Sequence, residues 1–168
     1  VAVKQLRFTR FPVSGVTTTY EAGSFITDSA SAGTAMASGN KTLSGIINMD
    51  PGKTKKFTTI AEIAKAEGFK IGIVSSVSLD HATPASFYAK VPSRGDMYEI
   101  AVQLANSSFD YFGGGGFAQQ KGKKGNLPDV LELAKKNGFR VVNTKQEFES
   151  LKKGSGKIIA INQTLQDS

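Results

Sequence analysis

Cysteine is absent from the sequence, which excludes disulfide bonds and thiolate metal sites. Any metal must therefore be held by oxygen and nitrogen ligands. Only one histidine is present, so the chain cannot supply the several imidazoles of a typical zinc site. Long apolar runs are also missing. None approaches the roughly 18 residues that a membrane span requires, and Val1 is not followed by the basic segment and apolar core of a signal peptide. We expect no membrane span.

The remaining composition is that of an ordinary globular domain. A chain of 168 residues with 39% hydrophobic residues can close one core, and we expect a single domain over residues 1–168. Lysine and arginine number 21 against 14 acidic residues, which gives a net charge of +7 and favours anionic partners. The lysines gather within 53–56 and 121–124, in stretches typical of exposed loops. We therefore expect phosphate compounds rather than nucleic acid as the partner.

Predicted strands and helices alternate along the chain. Apolar stripes of helical spacing indicate several of the helices, an Ala-rich composition indicates the helix at 29–38, and Gly68 and Gly138 supply stops before strands. This order predicts an α/β three-layer sandwich with a mostly parallel sheet covered on both faces. In such sheets ligands bind beyond the carboxyl ends of the strands, after 77 and 112. The predicted strands are 11–20, 70–77, 109–112, 139–143 and 157–161, and the predicted helices are 29–38, 58–67, 84–91, 96–107, 127–137 and 145–152.

Two segments have patterns typical of phosphate sites. Thr27-Asp28-Ser29 joins a strand-like segment to an Ala-rich helix, and a helix start attracts anions and could present a serine hydroxyl to a phosphate. The simpler interpretation is helix capping, the commonest use of these residue types. The run Gly113 to Gly116 could cradle a phosphate, but it lacks the Walker lysine pattern, which favours a structural turn.

The other candidate residues follow the second predicted strand. His81 stands beside Asp80 and Thr83, whose oxygen atoms suit magnesium better than zinc. Thr83 precedes Pro84, a residue typical of helix starts, so capping is the alternative. Arg94 lies in a loop between two predicted helices, from which its planar guanidinium can bind two phosphate oxygens.

Three separated motifs resemble the alkaline phosphatase family, and they occur in that family's order. They are TDSASAGTAMASGNKT at 27–42, DHATPASFYAKVPSR at 80–94 and FDYFGGGGF at 109–117. The resemblance covers most of the chain and implies part of the alkaline phosphatase fold.

The resemblance also implies roles for individual residues. Ser29 is the serine that becomes phosphorylated and contacts zinc, Arg94 holds the phosphate oxygens, and Asp28 orients Arg94. Thr83 binds magnesium through its hydroxyl, while His81 lies near the magnesium and acts mainly through water. The family hydrolyses phosphate monoesters by double displacement: a zinc-bound serine alkoxide attacks phosphorus, and a zinc-bound hydroxide then releases inorganic phosphate.

The chain departs from the family in what it lacks. Family members carry a metal-binding Asp on an earlier strand, and later Asp, His and Glu ligands, for which this sequence has no counterpart. We therefore expect an incomplete domain with an exposed sheet edge, self-association or a homodimer, and little or no activity of the chain alone. The resemblance implies a periplasmic or secreted location. The alternative is a metal-free phosphate-binding or structural domain without catalysis.

Overall fold

The computed structural model describes residues 7–162 and contains one parallel sheet. Its four strands lie in the order β1-β2-β4-β3, and each neighbouring pair runs parallel. The sheet confirms the predicted α/β class. The strands are β1 (Gly72–Val74), β2 (Tyr111–Gly114), β3 (Phe139–Val142) and β4 (Lys157–Ile161).

Six α-helices precede or connect these strands. A short 3-10 helix over Arg7–Arg10 comes before them. The helix predicted over 84–91 is wrong in its bounds, because the structure has a single helical turn over Ala82–Ala85 and no helix at 86–91. The α-helices are α1 (Ser29–Ser38), α2 (Ile60–Ala66), α3 (Ala82–Ala85), α4 (Met97–Ala105), α5 (Val130–Lys136) and α6 (Lys145–Glu149).

The core lies against the sheet face that Phe112 and Ile159 share. Phe112 is fully buried and makes ring contacts with Tyr88, Phe109 and Phe139. Burying one such aromatic side chain contributes about 1.5 to 3 kcal/mol. The predicted stripe of α4 faces this core, and four of its members are buried: Ile100, Ala101, Leu104 and Ala105.

The opposite sheet face is less covered. Side chains alternate between faces along a strand, so Tyr111, Val142 and Ala160 point away from Phe112 and Ile159. They line a cavity of about 420 Å³ together with residues of α6. Helix α6 lies on this second face, in keeping with the predicted sheet covered on both faces.

Capping residues fix where several helices begin. Thr59 and Thr144 each form a reciprocal capping box, with Glu62 and Glu147 respectively. Asp96 precedes α4 as predicted, but its side chain makes no capping hydrogen bond. Gly138 adopts a φ of 85°, which glycine tolerates and which ends the α5 region before β3.

The predicted strand over 11–20 is wrong. The structure has no regular element there, and Val13 is 82% exposed. β-branched composition favours a strand only where a neighbouring strand or a packed face is available, and residues 11–20 pair with no strand in the described part of the chain.

Strand β1 is an edge strand. It pairs with β2 on one side, and no other strand among residues 7–162 pairs with it. Val74 is 75% exposed at this edge. The expected open sheet edge is therefore present in the described part of the chain.

Candidate functional site

Asp28 is the N-cap of α1, the helix that carries Ser29. Its carboxylate accepts hydrogen bonds from the Ser31 backbone N–H at 2.9 Å and from the Ser31 hydroxyl at 2.8 Å. The Ser31 hydroxyl in turn accepts from the Asp28 N–H at 3.3 Å, which completes a capping box. The capping interpretation of the 27–29 triplet therefore applies to Asp28 and leaves Ser29 outside the cap.

Ser29 is the first residue of α1 and is exposed. Its hydroxyl makes no hydrogen bond to any residue within 7–162. The first N–H groups of a helix have no intrahelical acceptor, and the helix dipole places partial positive charge there. A hydroxyl without a partner in the described part of the chain thus stands at a helix start, where an anion is stabilised.

Arg94 joins this helix start from a loop 66 positions further along the chain. Its NH1 group donates to Oδ2 of Asp28 at 3.1 Å, and about a third of the Arg94 side chain is exposed. The same Asp28 oxygen accepts from the Gly45 N–H at 3.1 Å. The carboxylate of Asp28, the residue before Ser29, thereby holds the Arg94 guanidinium near the start of α1.

The pKa of the Asp28 carboxyl lies below its usual value. Partial burial works in the opposite direction and raises the pKa. The hydrogen bonds from Ser31, Arg94 and Gly45 outweigh it by stabilising the carboxylate. Asp28 is therefore charged at neutral pH and pairs with a guanidinium that is always protonated.

His81 is the third member of the cluster. Its Nε2 atom lies 3.3 Å from the NH2 group of Arg94. Since a guanidinium can only donate, Nε2 accepts, which assigns the proton of a neutral ring to Nδ1. Nδ1 is buried and has no hydrogen-bond partner in the described part of the chain.

The Asp80 carboxylate is engaged by backbone N–H groups. The Asp80 side chain is fully buried, and its carboxylate accepts from the backbone N–H groups of Ala118 at 3.0 Å and Gln119 at 2.9 Å. Burial, and then the Asp80 charge, raise the pKa of Tyr88 well above its usual value, and the Tyr88 hydroxyl donates to the Leu79 carbonyl. Asp80 thus fastens the loop after β2 to the loop after β1.

Thr83 is an exposed residue of α3, whose N-cap is His81, so Thr83 does not cap the helix. It lines a cavity of about 480 Å³ beside β1 with Pro84 and Phe87. No hydrogen bond or ion pair joins it to Asp28, His81 or Arg94 within residues 7–162.

The glycine run Gly113–Gly116, which begins in β2, packs closely against the loop after β1. A Cβ at Gly114 would lie 2.9 Å from the carbonyl oxygen of Val77, and the Gly115 N–H donates to that same oxygen. The Leu79 N–H donates to the carbonyl oxygen of Gly116 at 2.7 Å. These contacts are those of a structural close approach, the interpretation that the sequence favoured.

The donor groups for a zinc pair are not assembled in the described chain. Residues 7–162 contain no group of three or more His, Cys, Asp or Glu side chains able to hold a metal. Asp28 is engaged with Arg94, and Asp80 with backbone N–H groups. The described residues therefore do not form the donor set of a zinc pair by themselves. Within the same residues, no helix is long and apolar enough to cross a membrane.

Sequence reasoning missed Gly45 and Ser31, which hold the Asp28 carboxylate. Ser31 could have been found three residues after Asp28, the spacing of a capping box, although Glu or Gln is the usual residue there. Gly45 has no local signal, because its contact is made by a backbone N–H across 17 positions.

The chain resembles known alkaline phosphatases in sequence. It is 36% identical over 133 residues to alkaline phosphatase 4 of Bacillus subtilis (strain 168), covering 76% of this chain and 28% of that protein. It is 34% identical over 155 residues to the alkaline phosphatase of Escherichia coli (strain K12), covering 76% of this chain and 32% of that protein.

The fold is similar as well. The alkaline phosphatase from the Antarctic bacterium TAB5 matches with a TM-score of 0.85 and 34% sequence identity, over 96% of this chain and 47% of that chain. A mutant of the TAB5 enzyme with Mg bound in its M3 site matches with a TM-score of 0.83 and 32% sequence identity, over 96% of this chain and 46% of that chain.

The chain thus spans about a third or less of these curated relatives and about half of these solved structures, which makes its fold a part of theirs. The sequence profile of the alkaline phosphatase family matches residues 1–158. The chain belongs to the alkaline phosphatase family.

Proposed function

We propose that the complete enzyme hydrolyses phosphate monoesters through a phosphoserine at Ser29, and that this chain alone turns over little or no substrate. The observation that carries the proposal is the Arg94 guanidinium held at 3.1 Å from Asp28, beside the free hydroxyl of Ser29 at the start of α1. The relatives' names support phosphate chemistry in the family.

Arg94 keeps donors for a phosphate. A guanidinium has five N–H groups, and the contacts to Asp28 and His81 use one on each terminal nitrogen. The remaining donors can bind two phosphate oxygens in the fork geometry that arginine favours. The N–H groups at the start of α1 add a second source of positive potential.

In the proposed reaction Ser29 Oγ forms a bond to phosphorus while the bond to the leaving alcohol oxygen breaks. The alcohol departs with a proton, and Ser29 carries the phosphoryl group. Water then attacks phosphorus and the Ser29 ester bond breaks. Inorganic phosphate is released, and Ser29 recovers its hydroxyl. Arg94 and the helix start stabilise the negative charge on the phosphoryl oxygens.

Zinc and magnesium are the metals proposed for the complete enzyme, with Ser29, Thr83 and, through water, His81 near them. The described residues do not form their donor set, and we assign no step of the reaction to them here. A periplasmic or secreted location is proposed from the family alone, and phosphate monoesters or inorganic phosphate are the proposed partners.

A chimera tests the proposal. Residues 7–162 replace the corresponding part of the TAB5 enzyme, and turnover of a phosphate monoester is assayed with zinc and magnesium at alkaline pH. We expect turnover in the chimera, and a loss of about a thousandfold or more in Ser29→Ala. Ser38→Ala, at the other end of α1, is the matched control. An active chimera that keeps full turnover without Ser29 would contradict the proposal.

Phosphate binding without catalysis is the second candidate for the chain by itself. It is favoured by an ion-paired arginine beside a helix start in a chain whose described residues lack a metal donor set. The two candidates share phosphate binding at Arg94 and differ in turnover. Assays of the isolated chain with zinc and magnesium separate them, because turnover near that of a complete enzyme is incompatible with binding alone.

A further inference from the structure

Asn48 is a fully buried polar residue between α1 and the end of α3. Its Nδ2 group donates to the carbonyl oxygens of Ser86 at 2.6 Å and Ala89 at 2.8 Å. Both acceptors lie just after α3, and Ser86 is its C-cap. With two carbonyls facing the amide, the side chain must present its nitrogen to them, because its oxygen would be repelled.

The backbone of Asn48 reaches the other helix. Its N–H donates to the Thr34 hydroxyl, in the middle of α1, at 2.9 Å. That hydroxyl donates to the carbonyl of Ile46 at 3.4 Å. Asn48 therefore bonds α1 through its backbone and the α3 end through its side chain.

The conformation of Asn48 shows what its side chain adds. Its φ is 49°, in the left-handed region that glycine adopts without strain and asparagine tolerates better than most residues. Glycine would satisfy the backbone at this position but would leave both carbonyls without their donor.

The segment 45–48, here called the brace, also touches the candidate site. At its first residue the Gly45 N–H donates to Asp28, and the Gly45 carbonyl accepts from the Arg94 N–H at 2.6 Å. Ile47 and Val91 exchange backbone hydrogen bonds of 3.1 Å, which holds the brace to the segment leading to Arg94.

We propose that Asn48 is a positioning residue. By bonding both helices and ending the brace, it fixes the start of α1, with Asp28 and Ser29, relative to Arg94 and His81. The proposal rests on the proposed function, because it assigns Asn48 the task of setting the geometry of that phosphate site. Asn48 itself acts through the brace and does not contact the cluster.

Asn48→Gly tests the proposal because it keeps the backbone conformation and removes the two side-chain donors. Val130→Ala is the control, since it also removes buried contacts, but in α5, which packs on α4 and β3. Two quantities are measured on folded protein: the affinity for inorganic phosphate, and the ring resonances of His81, the only histidine in the chain.

We expect Asn48→Gly to weaken phosphate binding by about tenfold, because a displaced Arg94 loses about one charge-assisted hydrogen bond to the phosphate. We also expect it to shift the His81 resonances. Val130→Ala should change neither. If the wild-type chain binds no phosphate, the proposed function of the isolated site fails, yet the His81 resonances still decide the role of Asn48. Resonances and affinity in Asn48→Gly that match those of Val130→Ala would overturn the positioning role.

Discussion

At the scale of single residues, Asp28 connects the helix start to the arginine. Its two oxygens accept from Ser31, Gly45 and Arg94, so one carboxylate caps α1 and orients the guanidinium. Ser29 is the adjacent residue and takes part in none of these contacts. The two neighbours therefore have separable effects: Asp28 contributes to stability, while the Ser29 hydroxyl has no hydrogen-bond partner among residues 7–162 and contributes little to it.

Alanine substitutions distinguish the two residues. Asp28→Ala removes the N-cap and the ion pair, and we expect the free energy of unfolding to fall by about 1 to 2 kcal/mol. Ser29→Ala should change the free energy of unfolding by less than about 0.5 kcal/mol, because it removes only an exposed hydroxyl that has no hydrogen-bond partner among residues 7–162. Urea denaturation at neutral pH measures both. Equal losses in the two variants would show that Ser29 belongs to the cap.

At the scale of elements, most helices were predictable, whereas the helix predicted over 84–91 is only the short α3 (Ala82–Ala85) and one predicted strand is absent. The α4 stripe and the glycine stops specify local structure through nearby residues, and β4 has the predicted bounds, 157–161. The segment 11–20 has strand composition but no neighbouring strand among the described residues, and composition alone cannot supply a partner.

The packing of α1 against α3 depends on Gly33. A Cβ there would lie 2.2 Å from the Ser86 hydroxyl oxygen and 2.7 Å from its Cβ. Alanine is the better helix former by about 1 kcal/mol, but the overlap should make Gly33→Ala destabilising by about 1 to 3 kcal/mol. Thermal and urea unfolding measure the change.

The double variant Gly33→Ala with Ser86→Gly supplies the control. Removing the Ser86 side chain removes the overlap, so we expect the double variant to be more stable than the sum of the two single changes predicts. Strict additivity would show that the overlap with Ser86 does not cause the destabilisation by Gly33→Ala.

Asp110 fastens the start of β2 to α2 and β1. Burial raises its pKa, but the hydrogen bonds from Lys65, from the Ile71 N–H and from Lys70 dominate and lower it from 3.8 to about 2. Because the folded pKa is depressed, this stabilisation is complete above pH 4 and is lost as the pH falls toward 2.

Asp110→Asn should therefore lower the free energy of unfolding at pH 7 by about 1 to 2 kcal/mol, allowing for solvent screening. The difference from wild type should shrink between pH 4 and pH 2. Asp96→Asn, at an exposed carboxylate without a capping bond, is the control. Urea titrations across this pH range test the prediction, and a difference that stays constant with pH would contradict it.

At the scale of the whole molecule, the sequence indicated candidate site residues but not how they meet. The order of strands predicted that the loops after β1 and β2 lie together, and Asp80 joins them. The contact of Asp28 with Arg94 spans 66 positions and depends on tertiary packing, so only the family resemblance paired them. Asp80 and Asn48 act through backbone groups, which residue type does not reveal.

The open edge of β1 predicts self-association. Val74 is 75% exposed there, and unpaired strand edges promote pairing between chains. Sedimentation of the purified chain should show a homodimer or larger species that Val74→Lys weakens. Val13→Lys places the same charge at an equally exposed valine away from the sheet and should leave association unchanged. A concentration-independent monomer would contradict the prediction.

The central claim is that Arg94 and the start of α1 form a phosphate site. Calorimetric titration of the chain with inorganic phosphate in the presence of a chelator tests it most directly. The account predicts saturable binding that Arg94→Ala weakens by about tenfold or more, and that Lys123→Ala, in an exposed basic loop, leaves unchanged. Binding of the same strength in wild type and Arg94→Ala would contradict it.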